Sequence, residues 1–571
     1  MNTTRNQLTY ALILNLVTLT LVPVTVSSGE TESIALHEQL LTRLQNHNGV
    51  IAAGLDGVGE RYPTYNPEAV IPPMCYTKHE GKHNPCYVCH QNPVPERENF
   101  MADGDLQLEY SFSDEGTTNH YKNLFEDRSD RVAAISDEEI DAWVNQDNYS
   151  ALAPRLEEAG FKAWIPDLEN LHLGPGAFDS QGFALDGSHW VAFNYKPLPS
   201  TFWPTNGNTD DVMIRLPEAF RTDRDGAYSQ DVYKANLAIA EAKVKGFDSI
   251  TALPIDEKLI GKDLDGDGTL GTATEINVLD SYVGAAEKEH IDTYLYPKGT
   301  EFLHTLRYVG ISENGKIEVS TRMKEVRYMK KWRARHKMDY KRRYQLEGYH
   351  KEEGRLPFFQ SIGDWGLDND FFWSVQGFIE GHDGELRTAT YEENLFCMGC
   401  HSTIGSTIDK TFSFPRKVDG AEGWGYINLK GMPDAPNMGE LKGEIATYLE
   451  RVGGGGEFRS NPEMFERWFK EDGSVDTEKV SAAKDVYTLI TPSIARARLL
   501  NKAYRTIVAD QDYIYGRDAT VTPPVNVHDN VDNLATITLP LKFFRDWDIR
   551  LNWNDKTRPS KPAFQSASSE R

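Results

Sequence analysis

Cys86-Tyr87-Val88-Cys89-His90 and Cys397-Met398-Gly399-Cys400-His401 are the two stretches on which the reading of this 571-residue chain turns. Each is a Cys-x-x-Cys-His motif, the spacing at which two cysteine sulfurs and the next imidazole attach a c-type haem. In that chemistry the cysteines become thioethers on the haem vinyl groups, and the histidine lies under the iron as an axial ligand. The motifs therefore predict two covalently bound haem c groups. Cys86, Cys89, His90, Cys397, Cys400 and His401 are the predicted cofactor-binding residues, with His90 and His401 on iron. Four of the chain's five cysteines are used this way. Cys75 has no free partner and reads as a buried thiol. A competing reading gives the Cys-x-x-Cys pairs to structural zinc, which favours four protein ligands.

Outward from the first motif, residues 1–28 read as a secretory leader. Arg5 supplies the positive end, Ala11 to Val22 the apolar stretch, and Val26 and Ser28 the small residues before cleavage. The apolar run is shorter than the ~20 residues a spanning helix needs. No cysteine follows it, so a lipid anchor is not expected. No other stretch suggests an integral membrane segment after cleavage. Export suits thioether attachment, which is made outside the cytoplasm, and places the chain in the periplasm or extracellular space. Loss of Arg5 with the leader takes the formal charge from −25 to −26. Such acidity suits a soluble protein and disfavours nucleic acid as a partner.

The length exceeds a single core. Patterning divides the chain into the leader (1–28), a first haem-binding region (29–135), a mixed middle (136–320), a second haem-binding domain (321–455), a helical region (456–555) and a disordered tail (556–571). The expected fold class is α+β and multidomain, with mainly helical haem-binding regions around a mixed, partly β-stranded middle. Ser136, followed by Glu138 and Glu139, predicts a helix start, with helix over 136–159. Lys234 to Lys245 predicts a further helix. Phe302–Val309 and Lys316–Ser320 predict a hairpin around Asn314-Gly315. From Arg322 to Arg343 eleven Lys/Arg face two acids. That segment reads as a solvated helix face, with a basic wall for haem propionates or an acidic partner as the alternative.

The stretch 397–451 resembles a class I cytochrome c domain. Gly431-Met432-Pro433 falls where that family places a loop methionine ligand, and Leu441, Ile445, Tyr448 and Leu449 sit at helical spacing behind it. The resemblance implies Met432 as sixth iron ligand, with Met438 as runner-up and His382 as a further option. Around the first haem, His79, His83, His120, His189 and His304 are the candidates, His304 with Arg307 and Tyr308 as a polar trio.

Asp263, Asp265 and Asp267 occupy positions 1, 3 and 5 of an EF-hand-like loop, with Gly268 at 6 and the Thr269 carbonyl at 7. Calcium is the predicted ion, although position 12 is Thr274 rather than glutamate. The function expected from all this is an exported dihaem c-type cytochrome carrying electrons between periplasmic or surface redox partners. The alternative is a dihaem oxidoreductase, peroxidase- or oxygenase-like, with one open haem and a small-molecule oxidant or reductant. Dihaem peroxidases offer a general similarity only.

Overall fold

The strongest local signal in the chain builds the centre of the fold. Asn314-Gly315 turns two long strands back on each other, and Gly315 takes a left-handed φ of 68°. In this computed structural model β5 (Glu301–Ile311) and β6 (Ile317–Lys331) form that antiparallel pair. The structure describes residues 70–553 except 95, 96, 98, 100, 201, 356, 454–460, 533 and 534. The leader, the tail and most of the glycine run after Gly453 lie outside the described residues.

The hairpin grows into a seven-stranded antiparallel sheet. β1 (Val191–Ala192) and β2 (Thr209–Arg215) extend it from β5. On the other side β6 pairs with β8 (Trp373–Glu380), which carries β7 (Leu367–Asp368) and β9 (Leu386–Thr388). A separate two-stranded sheet joins β3 (Ile250–Asp256) to β4 (Thr272–Ile276). The chain is thus α+β. The described residues fall in one compact unit.

Cross-strand register decides what each sheet face does, because successive side chains alternate. Met213, Leu303, Val326, Tyr328 and Phe378 share one face and pack with Trp164 and Trp190. The opposite face carries Val212, Ile214, Phe302, Met329 and Val375, packed with Leu395, Cys397 and Met398. The second motif therefore lies in the core against this sheet face. A row across the same face runs Val212, His304, Arg327 and Gly377.

The helices follow their caps. The Ser136 side chain accepts from the Glu139 N–H and starts α1 (Asp137–Val144). This helix stops at Val144, because Asp147 turns the chain by accepting from the N–H groups of Tyr149 and Ser150. Helix resumes only at α2 (Leu152–Glu158). Ser229 caps α3 (Gln230–Lys245), and Gly246 closes it in the left-handed region. The basic segment is strand as far as Lys331, and only then α4 (Lys337–Glu352). Its strand half is not a solvated face. Arg322 and Lys331 are buried and ion-paired to Glu380 and Asp409.

Helical haem regions do not appear around both motifs. The first motif lies in a short 3-10 turn, Pro85–Val88, followed by irregular chain. The second ends α5 (Tyr391–His401). Behind Met432, α6 spans Glu444–Val452 and buries Ile445, Tyr448 and Leu449, whereas Leu441 precedes it and is 99% exposed. Residues 462–510 are helical in four separate pieces, the longest being α7 (Ile494–Asp510).

Candidate functional site

The two motifs, 311 positions apart in the chain, are stitched to one another. The Asn84 side chain caps the first by accepting from the Tyr87 N–H at 3.1 Å. The chain then tightens, with the Cys89 and His90 N–H groups donating to the Cys86 carbonyl at 3.2 and 3.0 Å. The Cys89 carbonyl accepts from the N–H of Ser406, just beyond the second motif, at 3.1 Å. Gln91 Nε2 donates to the Gly405 carbonyl at 2.9 Å. Asp103 is the common node. One of its oxygens takes His90 Nδ1 at 2.8 Å and the Gly405 N–H at 3.2 Å. The other accepts from the Gln91 N–H at 3.3 Å. Glycine is required at this crossing, since a Cβ on Gly405 would lie 2.2 Å from Asp103 Oδ1.

The second motif is held by more regular means. Thr390 and Glu393 form a reciprocal capping box at the start of α5, and Arg387 grips Glu393 at 2.9 Å. His401 Nδ1 contacts the Lys410 carbonyl at 2.7 Å. Asn369 Nδ2 donates to the His401 carbonyl at 2.6 Å. Each motif histidine thus has its Nδ1 fixed by an oxygen. That contact selects the tautomer with Nε2 free of its proton, the form in which an imidazole binds an electrophile or a metal.

All five thiols are free of disulfides. Burial raises each of them; Cys400 is pushed up to about 11 and Cys86 to about 12. Cys75 is raised further by burial and then by the nearby Cys86 and Cys400, and Cys89 by burial and the nearby Cys400 and Cys75. Cysteines of both motifs and the odd Cys75 therefore share one low-dielectric neighbourhood, in which they stay protonated near neutrality. His79 Nε2 lies 3.3 Å from Cys86 Sγ, and its ring stacks on Tyr110 at 4.1 Å. Burial, followed by His528, lowers His79 to about 4. Burial also leads the lowering of His401 to about 4.

A cationic pair stands beside the second motif. Arg327 and Arg517 both contact Glu325 Oε2 at 2.8 Å, and their charges overcome burial to bring Glu325 down to about 2. Both arginines also oppose the upward shift of Cys397. The trio expected around His304 divides. His304 lies 3.4 Å from Asp210, whereas Arg307 pairs with Asp211 and Tyr308 donates to Glu380. Met432 is core, packed with Ile445 and Leu449, and its carbonyl accepts from the Val486 N–H at 2.8 Å. The Met438 N–H donates to the Arg550 carbonyl, His382 contacts the Ala509 carbonyl, and His189 stacks on Tyr228.

Among the described residues, the groups of three donors whose ligand atoms lie within 4.8 Å of one another include no motif cysteine. A compact thiolate zinc centre is therefore not formed. The acidic loop does gather Glu257, Asp263 and Asp265. Its oxygens are turned to its own backbone. Asp263 accepts from the N–H groups of Gly266 and Gly268, and Asp267 from that of Thr269. Glu257, which the spacing argument missed, accepts from Leu264 and Gly271. Thr269 contributes its hydroxyl to Asp267. The loop thus brings two of the four expected calcium ligands, Asp263 and Asp265, together with Glu257.

A lipoprotein family model, described as ":-like lipoprotein", matches residues 60–489. The chain belongs to this family. An "Uncharacterized lipoprotein" of Aquifex aeolicus (strain VF5) is 33% identical over 513 residues, covering 80% of this chain and 86% of its own length. No solved structure matches. These findings correct the expectation built on the motifs. Family and relative are described as lipoproteins, and neither as a cytochrome. The dihaem c-type cytochrome, its two covalent haem c groups, the electron-carrier role with its redox partners, and the peroxidase- or oxygenase-like alternative are set aside. The physical picture differs too: the motif segments pack directly against each other, not in two separate helical domains. Among the described residues no helix is long and apolar enough to cross a membrane.

Proposed function

We propose that this chain works outside the cytoplasm as a binding protein whose centre is the joined pair of motifs. In this reading Cys86, Cys89, His90, Cys397, Cys400 and His401 line one ligand-binding centre. The observation that carries it is the Asp103 node, which ties His90 to the backbone just after the second motif. Two oriented imidazoles and four sulfurs in one buried neighbourhood make a donor set that a purely structural core does not need. Membership of a lipoprotein family supports export. The periplasmic or outer face of the envelope is the proposed location.

Native-state mass spectrometry of the protein purified from its own envelope tests the proposal. We expect a mass above that of the polypeptide, lost when Cys86, Cys89, Cys397 and Cys400 are all changed to serine. A native mass equal to the polypeptide, with all five thiols open to alkylation after unfolding, would overturn it.

A further inference from the structure

Outside the two cysteine motifs, two histidines and an aspartate meet. His290 and Asp292 lie in the segment leading to β5, and His336 immediately precedes α4. His290 Nε2 is 3.3 Å from Asp292 Oδ1. The two imidazole rings face edge to plane, with centroids 5.7 Å apart and an interplanar angle of 80°. Each of the three residues offers a ligand atom, and these atoms lie within 4.8 Å of one another.

We infer that His290, Asp292 and His336 form a surface site for a divalent transition metal of the zinc type. Bonds of about 2.0–2.1 Å in a tetrahedron place neighbouring donors roughly 3.3 Å apart. The His290–Asp292 pair already stands at that distance, and the exposed His336 ring lies beside it. Two imidazoles with one carboxylate suit Zn2+, Cu2+ or Ni2+, whereas Ca2+ and Mg2+ take oxygen donors. Three protein ligands leave a fourth position for water or an incoming ligand.

The surrounding charges permit it. Lys337, next to His336, lies over the Tyr294 ring at 5.8 Å, and Arg335 over the Phe372 ring at 5.6 Å. Their heads are thus occupied on aromatic faces. The acidic loop at Asp263 differs, because its carboxylates already accept backbone N–H groups. A bound ion at the histidines would pin the segment before β5 to the start of α4, where Lys337 already reaches over the Tyr294 ring.

The test is calorimetric titration of the full mature protein with ZnCl2, beside a His290→Ala/His336→Ala variant. The wild type is expected to take up one more equivalent than the variant, with a dissociation constant below about 100 μM. Asp292→Asn, nearly isosteric, should weaken that equivalent by at least about tenfold, and it serves alone should the double variant misfold. Cu2+ in the wild type should give a paramagnetic resonance spectrum with two coupled nitrogens. Equal uptake in wild type and variants, or an extra equivalent weaker than about 100 μM, overturns the inference. The proposed role of the cysteine motifs is untouched by either result.

Discussion

The two motifs spell the same pattern and are held by different physics. The first sits in a short turn, and a carboxylate, Asp103, orients its histidine. The second ends a capped helix, and a backbone carbonyl, that of Lys410, orients its histidine. A carboxylate can be deleted by one substitution, whereas a carbonyl cannot. The first half of the centre therefore hangs on one side chain, and the second on local secondary structure.

Asp103→Ala should be the most damaging change, because it strands three donors at once. With neutral bonds worth about 1 kcal/mol and charge-assisted ones more, we expect a loss of about 4 kcal/mol by urea unfolding. The matched change on the other side, Lys410→Met, keeps the carbonyl. Its ammonium is buried without a hydrogen bond, and burial leads its lowering to about 7, so the variant should be neutral or stabilised. Equal losses in the two variants would erase the distinction.

Gly399→Ala comes next. Its Cβ would meet the Val70 carbonyl at 2.3 Å, so the segment before the first motif must shift. About 2–3 kcal/mol is expected, the cost of overpacking a core. The thermal midpoint should fall accordingly, while Gly348, with nothing within reach of its Cβ, tolerates alanine.

His79 sharpens the comparison through pH. It is lowered to about 4, chiefly by burial, against about 6.5 in the unfolded chain. Between those values the unfolded chain holds the extra proton, so this contribution is complete above pH 6.5 and lost as pH falls toward 4. Wild type should lose about 2 kcal/mol more than His79→Gln between pH 7 and pH 4 in denaturant titrations. A smaller loss than these belongs to Thr390→Ala, which removes the cap of α5 at about 1 kcal/mol. It should loosen amide protection in the second motif and leave the first unchanged.

What was legible in the sequence was local. Asn314-Gly315 marked the central hairpin, and Ser136 marked the start of α1, because turn and cap chemistry act over a few residues. The end of α1 was missed, since the turn at Asp147 competes with a helix that composition favours. Lys324 and Lys331 read as solvated charge, yet the strand buries both. Their partners, the Gly207 carbonyl and Asp409, are more than seventy residues away. Leu441 fitted the helical spacing and still lies in solvent, because α6 begins three residues later. For the site, the sequence named the cysteines and histidines but not Asp103 or Arg327, whose roles arise only from long-range packing. The meeting of His290 with His336 left no spacing signal at all.

The central claim is that both motifs serve one binding centre, and native mass tests it most directly. Two variants, Cys86→Ser/Cys89→Ser and Cys397→Ser/Cys400→Ser, are each compared with the wild type isolated from the envelope. The account predicts excess mass in the wild type and less of it in both variants. A full excess retained in either variant, or none in the wild type, would contradict it.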